Sequence, residues 1–160
     1  MIARDSFGVP HIFAKTDAEV AYGLAWAHSE DDFKSIQENI LAGKNMLGRV
    51  LGKQGVLFDF GLQFLNIDTL VAQQFETDLS PSFRKVLEGY VQGLNDYAAA
   101  HPKEVLYAKA FPFTAIDVVR GSVLQTSLMA GVGMAIKAIR DRKIEEFYSV
   151  NDVGSNALAV

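Results

Sequence analysis

Few side chains in this sequence could carry chemistry. The 160 residues include three histidines, His11, His28 and His101, and no cysteine. The missing thiols exclude disulfides, thiolate zinc sites and cysteine nucleophiles, and assign no compartment. No histidine lies three to five residues from another, so a metal site would need ligands from distant segments. Only His28 has acids close by, in Glu30-Asp31-Asp32. That cluster reads as the first turn of a helix, where the dipole favours carboxylates, in preference to a cation site. His28 then falls at the end of the preceding helix, within reach of its last carbonyls, and His101 in an exposed turn. Gly48-Arg49-Val50-Leu51-Gly52-Lys53 lacks the P-loop spacing. Gly131-Val132-Gly133 has neither the preceding strand nor the third glycine of a dinucleotide fingerprint. Gly154-Ser155-Asn156 offers a hydroxyl nucleophile, but such a triplet alone is ordinary loop sequence.

The elements that must position these residues are mostly helical. Pro10 turns Val9 away from helix, and Ser6 to Ala14 reads as a turn followed by a short extended segment. Thr16-Asp17-Ala18-Glu19 is a capping box, opening a helix from Asp17 to about His28 with Val20, Leu24 and Ala27 on one stripe. A second helix starts at Ser29-Glu30-Asp31-Asp32. Phe33, Ile36, Ile40, Leu41, Leu47, Val50 and Leu51 continue at helical spacing, divided by Gly43, Gly48 and Gly52. Phe58 to Ala72 is a further helix. Ser80-Pro81 starts the clearest amphipathic helix, with Phe83, Val86, Leu87, Tyr90, Val91, Leu94 and Tyr97 on one face, ending near Ala100. Thr114 caps a long last helix from Ala115 toward Arg142, with a kink at Gly131 and Gly133. Leu124, Leu128, Met129 and Met134 on it are core residues or the lining of an apolar pocket. From Asp141 the chain turns charged and polar. It closes on Leu158-Ala159-Val160, a strand begun and abandoned, which suggests a sequence cut inside a domain.

Composition sets outer bounds. The 49% hydrophobic and 21% charged residues describe a globular chain, one ordinary domain or part of a larger one. A formal charge of −4 argues against a broadly electropositive nucleic-acid binder. No run of ~18 apolar residues is free of charge and glycine, so no transmembrane helix is expected. Arg4 and Asp5 come too early for a signal peptide, and no apolar segment follows them.

Several segments together resemble the penicillin acylase family of N-terminal nucleophile hydrolases. Arg4-Asp5-Ser6-Phe7-Gly8-Val9-Pro10-His11-Ile12 matches the RDxxGVPHI signature at every fixed position. Ala27-His28-Ser29-Glu30-Asp31 resembles the HAxD stretch, with Ser29 replacing alanine and Asp32 standing where arginine is usual. Leu41-Ala42-Gly43-Lys44 through Leu51-Gly52 is similar to the next helix, without most of its arginines. Tyr90-Val91-Gln92-Gly93-Leu94-Asn95 matches the YxxGxN helix. Phe111-Pro112-Phe113-Thr114 with Asp117-Val118 resembles the opening of the acyl-pocket helix. Gly154-Ser155-Asn156-Ala157 stands where the processing site belongs.

The resemblance implies a mostly α fold class: the helical α-chain portion of an αββα hydrolase precursor, truncated at its first β-chain strand. Residues 1–140 are then the α-chain region, 141–154 approximately the spacer peptide, and 155–160 the start of the β chain. It implies an acylase zymogen that cuts itself autocatalytically between Gly154 and Ser155. The freed α-amine then acts as base for the Ser155 hydroxyl, and Asn156 helps position the turn. A free α-amine has a reference pKa of about 7.7–8.0, so near neutral pH part of it can accept that proton. The oxyanion donors of the family fall beyond Val160, and the 160-residue fragment alone is expected to be inactive.

Leu124, Leu128, Met129 and Met134 would line the acyl pocket. The substrate would be a small-molecule acyl amide such as an acyl-homoserine lactone, a lipopeptide or a penicillin. Ala157 points to the first two classes, hence quorum quenching as well as antibiotic biosynthesis. The further partner implied is the missing β-chain region, with no nucleic acid and no membrane span. The resemblance implies a periplasmic or secreted parent protein. No cofactor is expected. Calcium, known in the family, takes a ligand from an acid just after the pocket-helix kink, and between Asp117 and Asp141 this chain has none. The alternative is a non-catalytic helical binding or scaffold protein derived from the family.

Overall fold

The computed structural model describes residues 1–143. The Gly154-Ser155-Asn156 triplet and the predicted closing strand lie outside the described residues. The chain divides into two compact units, Met1–Leu124 and a second that begins at Gln125.

Two short strands open the first unit, β1 (Ile2–Arg4) and β2 (Pro10–Ile12), paired antiparallel with Ala3 opposite His11. The Asp5 side chain closes the loop between them, accepting from the amides of Phe7 at 2.9 Å and Val9 at 3.0 Å. Helix α1 (Asp17–Gly43) starts at the expected capping box, with the Thr16 hydroxyl accepting from Glu19 N and the Glu19 carboxylate accepting from Thr16 N. The break expected between His28 and Asp32 falls at the end of that span. The chain stays helical to Asp31, breaks at Asp32 (φ −159°, ψ 72°) and resumes. Asp32 is the cap of the second half, its carboxylate accepting from Ser35 N at 3.0 Å. Ser29, placed by the sequence at a helix start, is buried inside the first half and donates to the Ala25 carbonyl.

Three helices follow: α2 (Gly48–Leu51), α3 (Lys53–Gln63) and α4 (Ile67–Asp78). The helix expected over 58–72 is split, because Asn66 takes a left-handed conformation (φ 49°) between α3 and α4. Asparagine tolerates that conformation far better than most residues, but nothing in the apolar pattern announces it. Helix α5 (Pro81–Ala100) begins as expected, with the Ser80 hydroxyl accepting from Phe83 N and proline in the first turn. Single turns at Pro102–Glu104 and Ala108–Ala110 lead to α6 (Ala115–Met129). The expected long last helix breaks at Gly131 (φ 89°), and α7 (Val132–Arg140) is separate. The kink was placed correctly, but a left-handed residue interrupts the hydrogen-bond ladder fully.

The core of the first unit forms where α1 and α5 pack together, around Ala25, Phe33, Ile40, Leu41, Leu94 and Tyr97. The two backbones come very close. A methyl group built at Gly93 would stand 2.5 Å from the Tyr22 carbonyl oxygen, and one at Gly89 would collide with the Ala18 carbonyl. Gly93→Ala gains up to about 1 kcal/mol of helix propensity and loses more to overpacking. The expected net result is a destabilisation of about 1–2 kcal/mol, seen as a lower urea midpoint.

Candidate functional site

The signature at the N-terminus is a latch. Arg4 reaches across from β1 and donates to the Gly8 carbonyl at 2.8 Å and to the Ala27 carbonyl at 3.2 Å. Its guanidinium also pairs with Glu30 at 3.1 Å and Asp31 at 2.9 Å. The acids beside His28 therefore answer an arginine and leave no open carboxylate cluster. Asp5 pairs with the His11 ring at 3.3 Å. That contact, with the Val9 and Phe7 amides, holds the Asp5 carboxyl below its usual value against the opposing effect of desolvation. His28 Nδ1 lies 3.3 Å from the Tyr90 hydroxyl on α5, so it bridges helices instead of closing one. His101 caps α5, and its ring stacks on Tyr97 with centroids 4.0 Å apart, so it is no free turn residue.

Two side-chain amides hold the non-helical stretch that leads into α6. Gln37, fully buried on α1, donates to the Glu104 carbonyl at 3.0 Å and accepts from Leu106 N at 2.9 Å. Asn95 on α5 donates to the Phe113 carbonyl at 3.0 Å and accepts from Phe113 N at 2.8 Å. Each amide satisfies a backbone donor and acceptor as a neighbouring strand would. The asparagine of the YxxGxN match thus fixes the residue just before α6. Sequence reasoning missed Gln37 and found Asn95 only as a motif letter, because the partners of both are backbone groups on a distant segment.

The start of α6 is held by charge. Thr114 and Asp117 cap each other, with Asp117 N donating to the Thr114 hydroxyl and Thr114 N donating to the Asp117 carboxylate. Asp117 is 2% exposed. Its carboxylate takes Lys44 Nζ at 2.7 Å and Arg120 at 3.1 Å, and Arg120 also pairs with Asp68 on α4 at 2.8 Å. Burial pushes the Asp117 carboxyl up, but Lys44 and the Thr114 bonds outweigh it and leave the group below its usual value. Beside this network Gly43 meets Gly121 backbone to backbone, with 2.6 Å between a methyl built at Gly43 and Gly121 N.

The predicted pocket residues do not form one group. Leu124 is 2% exposed and belongs to the core of the first unit. Leu128, Met129 and Met134 lie in the second unit and are exposed. The processing residues Gly154, Ser155 and Asn156 are outside the described residues. Among the described residues no three His, Asp or Glu side chains gather as a metal site. No single described helix is long and apolar enough to cross a membrane.

Comparisons with known proteins agree with this scaffold. A family model described as Penicillin amidase matches residues 1–160. The acyl-homoserine lactone acylase PvdQ of Pseudomonas fluorescens is 28% identical over 102 residues, covering 59% of this chain and 13% of that protein. Penicillin G acylase of Escherichia coli is 28% identical over 108 residues, covering 66% of this chain and 13% of that protein. The chain therefore matches only 13% of the length of these relatives. A solved structure of thermostable penicillin G acylase from Alcaligenes faecalis shares the fold, with a TM-score of 0.61, 21% identity, and coverage of 95% of this chain and 88% of that one. The mostly helical described fold fits an α-chain region, and with the family model accounting for every residue from the Arg4 latch to the end, the chain belongs to the penicillin amidase family.

Proposed function

We propose that this chain is the α-chain region and processing site of a self-cleaving amidohydrolase precursor, with Ser155 as its nucleophile. The observation that carries the reading is the family match over residues 1–160, which takes in Gly154-Ser155-Asn156 at the far end from the signature. In the first reaction Ser155 Oγ attacks the Gly154 carbonyl carbon. The acyl group moves from nitrogen to oxygen, the hydroxyl proton passes to the departing nitrogen, and water hydrolyses the ester. Gly154 leaves as a carboxylate and Ser155 keeps a free α-amine. Glycine suits the first position because nothing on its α-carbon blocks approach to the carbonyl.

In the second reaction the α-amine takes the Ser155 proton while Oγ attacks the substrate amide. The amine product leaves with that proton, and water frees the acid from the acyl-serine. Residues beyond Val160 supply the oxyanion donors. Residues 141–154 form the spacer in this reading, and the parent protein works in the periplasm or outside the cell.

The 160-residue polypeptide alone is expected to show no acylase activity, since loss of even one oxyanion donor costs ~10²–10³ in rate. Purified chain assayed against acyl-homoserine lactones and phenylacetyl amides checks this. Turnover that vanishes with Ser155→Ala would show the site complete within these residues.

The acyl group in this reading is a medium or long aliphatic chain, met by Leu128, Met129 and Met134 on α6 and α7, while Leu124 belongs to the core of the first unit. Met129 is 80% exposed, apolar surface that an acyl chain can cover. Each methylene buried should add about 0.8 kcal/mol until the pocket is full. A chain-length series on the complete enzyme should therefore rise from acetyl upward. A steady fall from acetyl would overturn the assignment.

A further inference from the structure

The charges beneath α6 are expensive to bury. Asp117 is almost wholly buried, and the side chains of Lys44 and Arg120 are largely so. A buried ion pair adds little stability over well-packed apolar residues of the same volume, because desolvation offsets the attraction. Its best-attested use is registry, since a charge and its partner meet at one rotation and one height. The crossing beside this network lacks any other such device. Helix α6 meets the end of α1 at Gly121 and Gly43, where the backbones touch and a methyl at Gly121 would collide with the Asn39 side chain. Glycines bring no side chains that interlock, so the crossing fixes how near the helices lie more firmly than how they are turned. Lys44, the C-cap of α1, supplies the tie, its Nζ donating to the Asp117 carboxylate at 2.7 Å. Arg120, one turn further on, ties α6 to α4 through Asp68, and Asn45 donates to the same Asp68 carboxylate at 3.3 Å.

The same helix is held at one end and bare at the other. Asp117, Gly121 and Leu124 recur at i, i+4 and i+7 and are all buried, so the first three turns are fixed. Leu128 and Met129 in the last turn are exposed. At 1.5 Å per residue Met129 stands about 18 Å along the axis from Asp117, so a tilt at the held end is magnified there. We propose that Lys44 is a positioning residue for substrate selection: through Asp117 it fixes the register of α6 on α1, and with it the place where Leu128 and Met129 meet the acyl chain. The proposal rests on the acyl-pocket reading above and adds what sets the chain length accepted there. Displacements of about 1 Å far from the reacting atoms are large enough to matter, with effects that reach ~10²-fold.

The complete enzyme tests this with acyl-homoserine lactones of rising acyl length. Lys44→Met keeps the apolar stem and removes the charge, while Arg120 and Thr114 still partner Asp117. Selectivity is read as kcat/KM for the preferred acyl group divided by kcat/KM for groups about two carbons shorter and longer. Each ratio is taken within one sample, so a smaller folded fraction leaves it unchanged. Lys44→Met should lower at least one ratio by about fourfold or more, the discrimination that one buried methylene carries. Lys44→Arg reaches the same carboxylate and should hold both ratios within about twofold of wild type. Wild-type ratios in the methionine variant overturn the proposal, and so does an arginine variant altered as far as the methionine one. Asp68→Asn, at the more exposed end of the network, covers the case in which Lys44→Met does not fold. It weakens the tie from Arg120 to α4 and should lower the same ratios, and unchanged ratios there overturn the proposal too. The wild-type series separates the two readings. No turnover, or a steady fall from acetyl, removes the acyl-pocket reading and this proposal with it. A peak at a longer chain that every variant keeps removes this proposal alone.

Discussion

Ser155→Ala in the complete precursor should leave one uncut polypeptide with no measurable acylase activity. The variant removes the only atom that attacks the Gly154 carbonyl in the proposed first reaction, and the same atom that attacks substrate in the second. Wild-type precursor should yield a fragment beginning at Ser155, identified by its mass and by Edman sequencing. Ser155→Cys restores a nucleophile and separates the two steps. A thiolate attacks well within its own chain but lacks the serine oxygen's match to the rest of the site, so this variant should process and then hydrolyse amides slowly. An alanine variant that still cuts at this bond, or an intact precursor with full activity, would remove the N-terminal nucleophile from the proposal.

The next largest effect is expected at Asp117. Asp117→Ala takes one carboxylate from between Lys44 and Arg120 and leaves two cations facing each other across a largely buried space. Breaking a buried ion pair from one side typically costs about 3–5 kcal/mol, and the Thr114 cap is lost as well. A urea titration of wild type and variant reads the difference. Its pH dependence has a definite sign. The folded carboxyl titrates below its reference value of 3.8, so its contribution is full above that value and is lost as pH falls through the lower folded one. The gap between wild type and Asp117→Ala should be constant near neutrality and narrow below about pH 4. A gap that widens in acid would mean the carboxylate is not the stabilising form.

Helix starts were legible because they depend on neighbours in sequence. Thr16 with Glu19, Ser80 with Pro81, and Thr114 with Asp117 all cap as their spacing predicts. The helix breaks were harder. Gly131 could be suspected, since glycine reaches a positive φ without strain, whereas Asn66 does the same inside an unbroken apolar pattern. Least legible were the long-range polar contacts. Nothing within five residues of Gln37, Asn95 or Asp59 says that each will clamp a backbone segment elsewhere. The RDxxGVPHI signature was readable as a family mark, but its physical meaning required the fold: Arg4 ties the hairpin to the end of the first half of α1. Leu124 shows the limit of helical periodicity, which places a residue on a face without saying whether core or ligand will fill the space beyond it.

The Gln37 and Asn95 clamps bear on how such a protein can change length over evolution. By its irregular backbone the stretch from His101 to Thr114 is a connection, the kind of segment where insertions, nicks and new termini are usually tolerated. Here Leu106 and Phe113 are bonded to amides rooted in two separate helices, so an added residue between those anchors would pull at least one of them away. Residues 104–113 should therefore keep their spacing as strictly as a helix does.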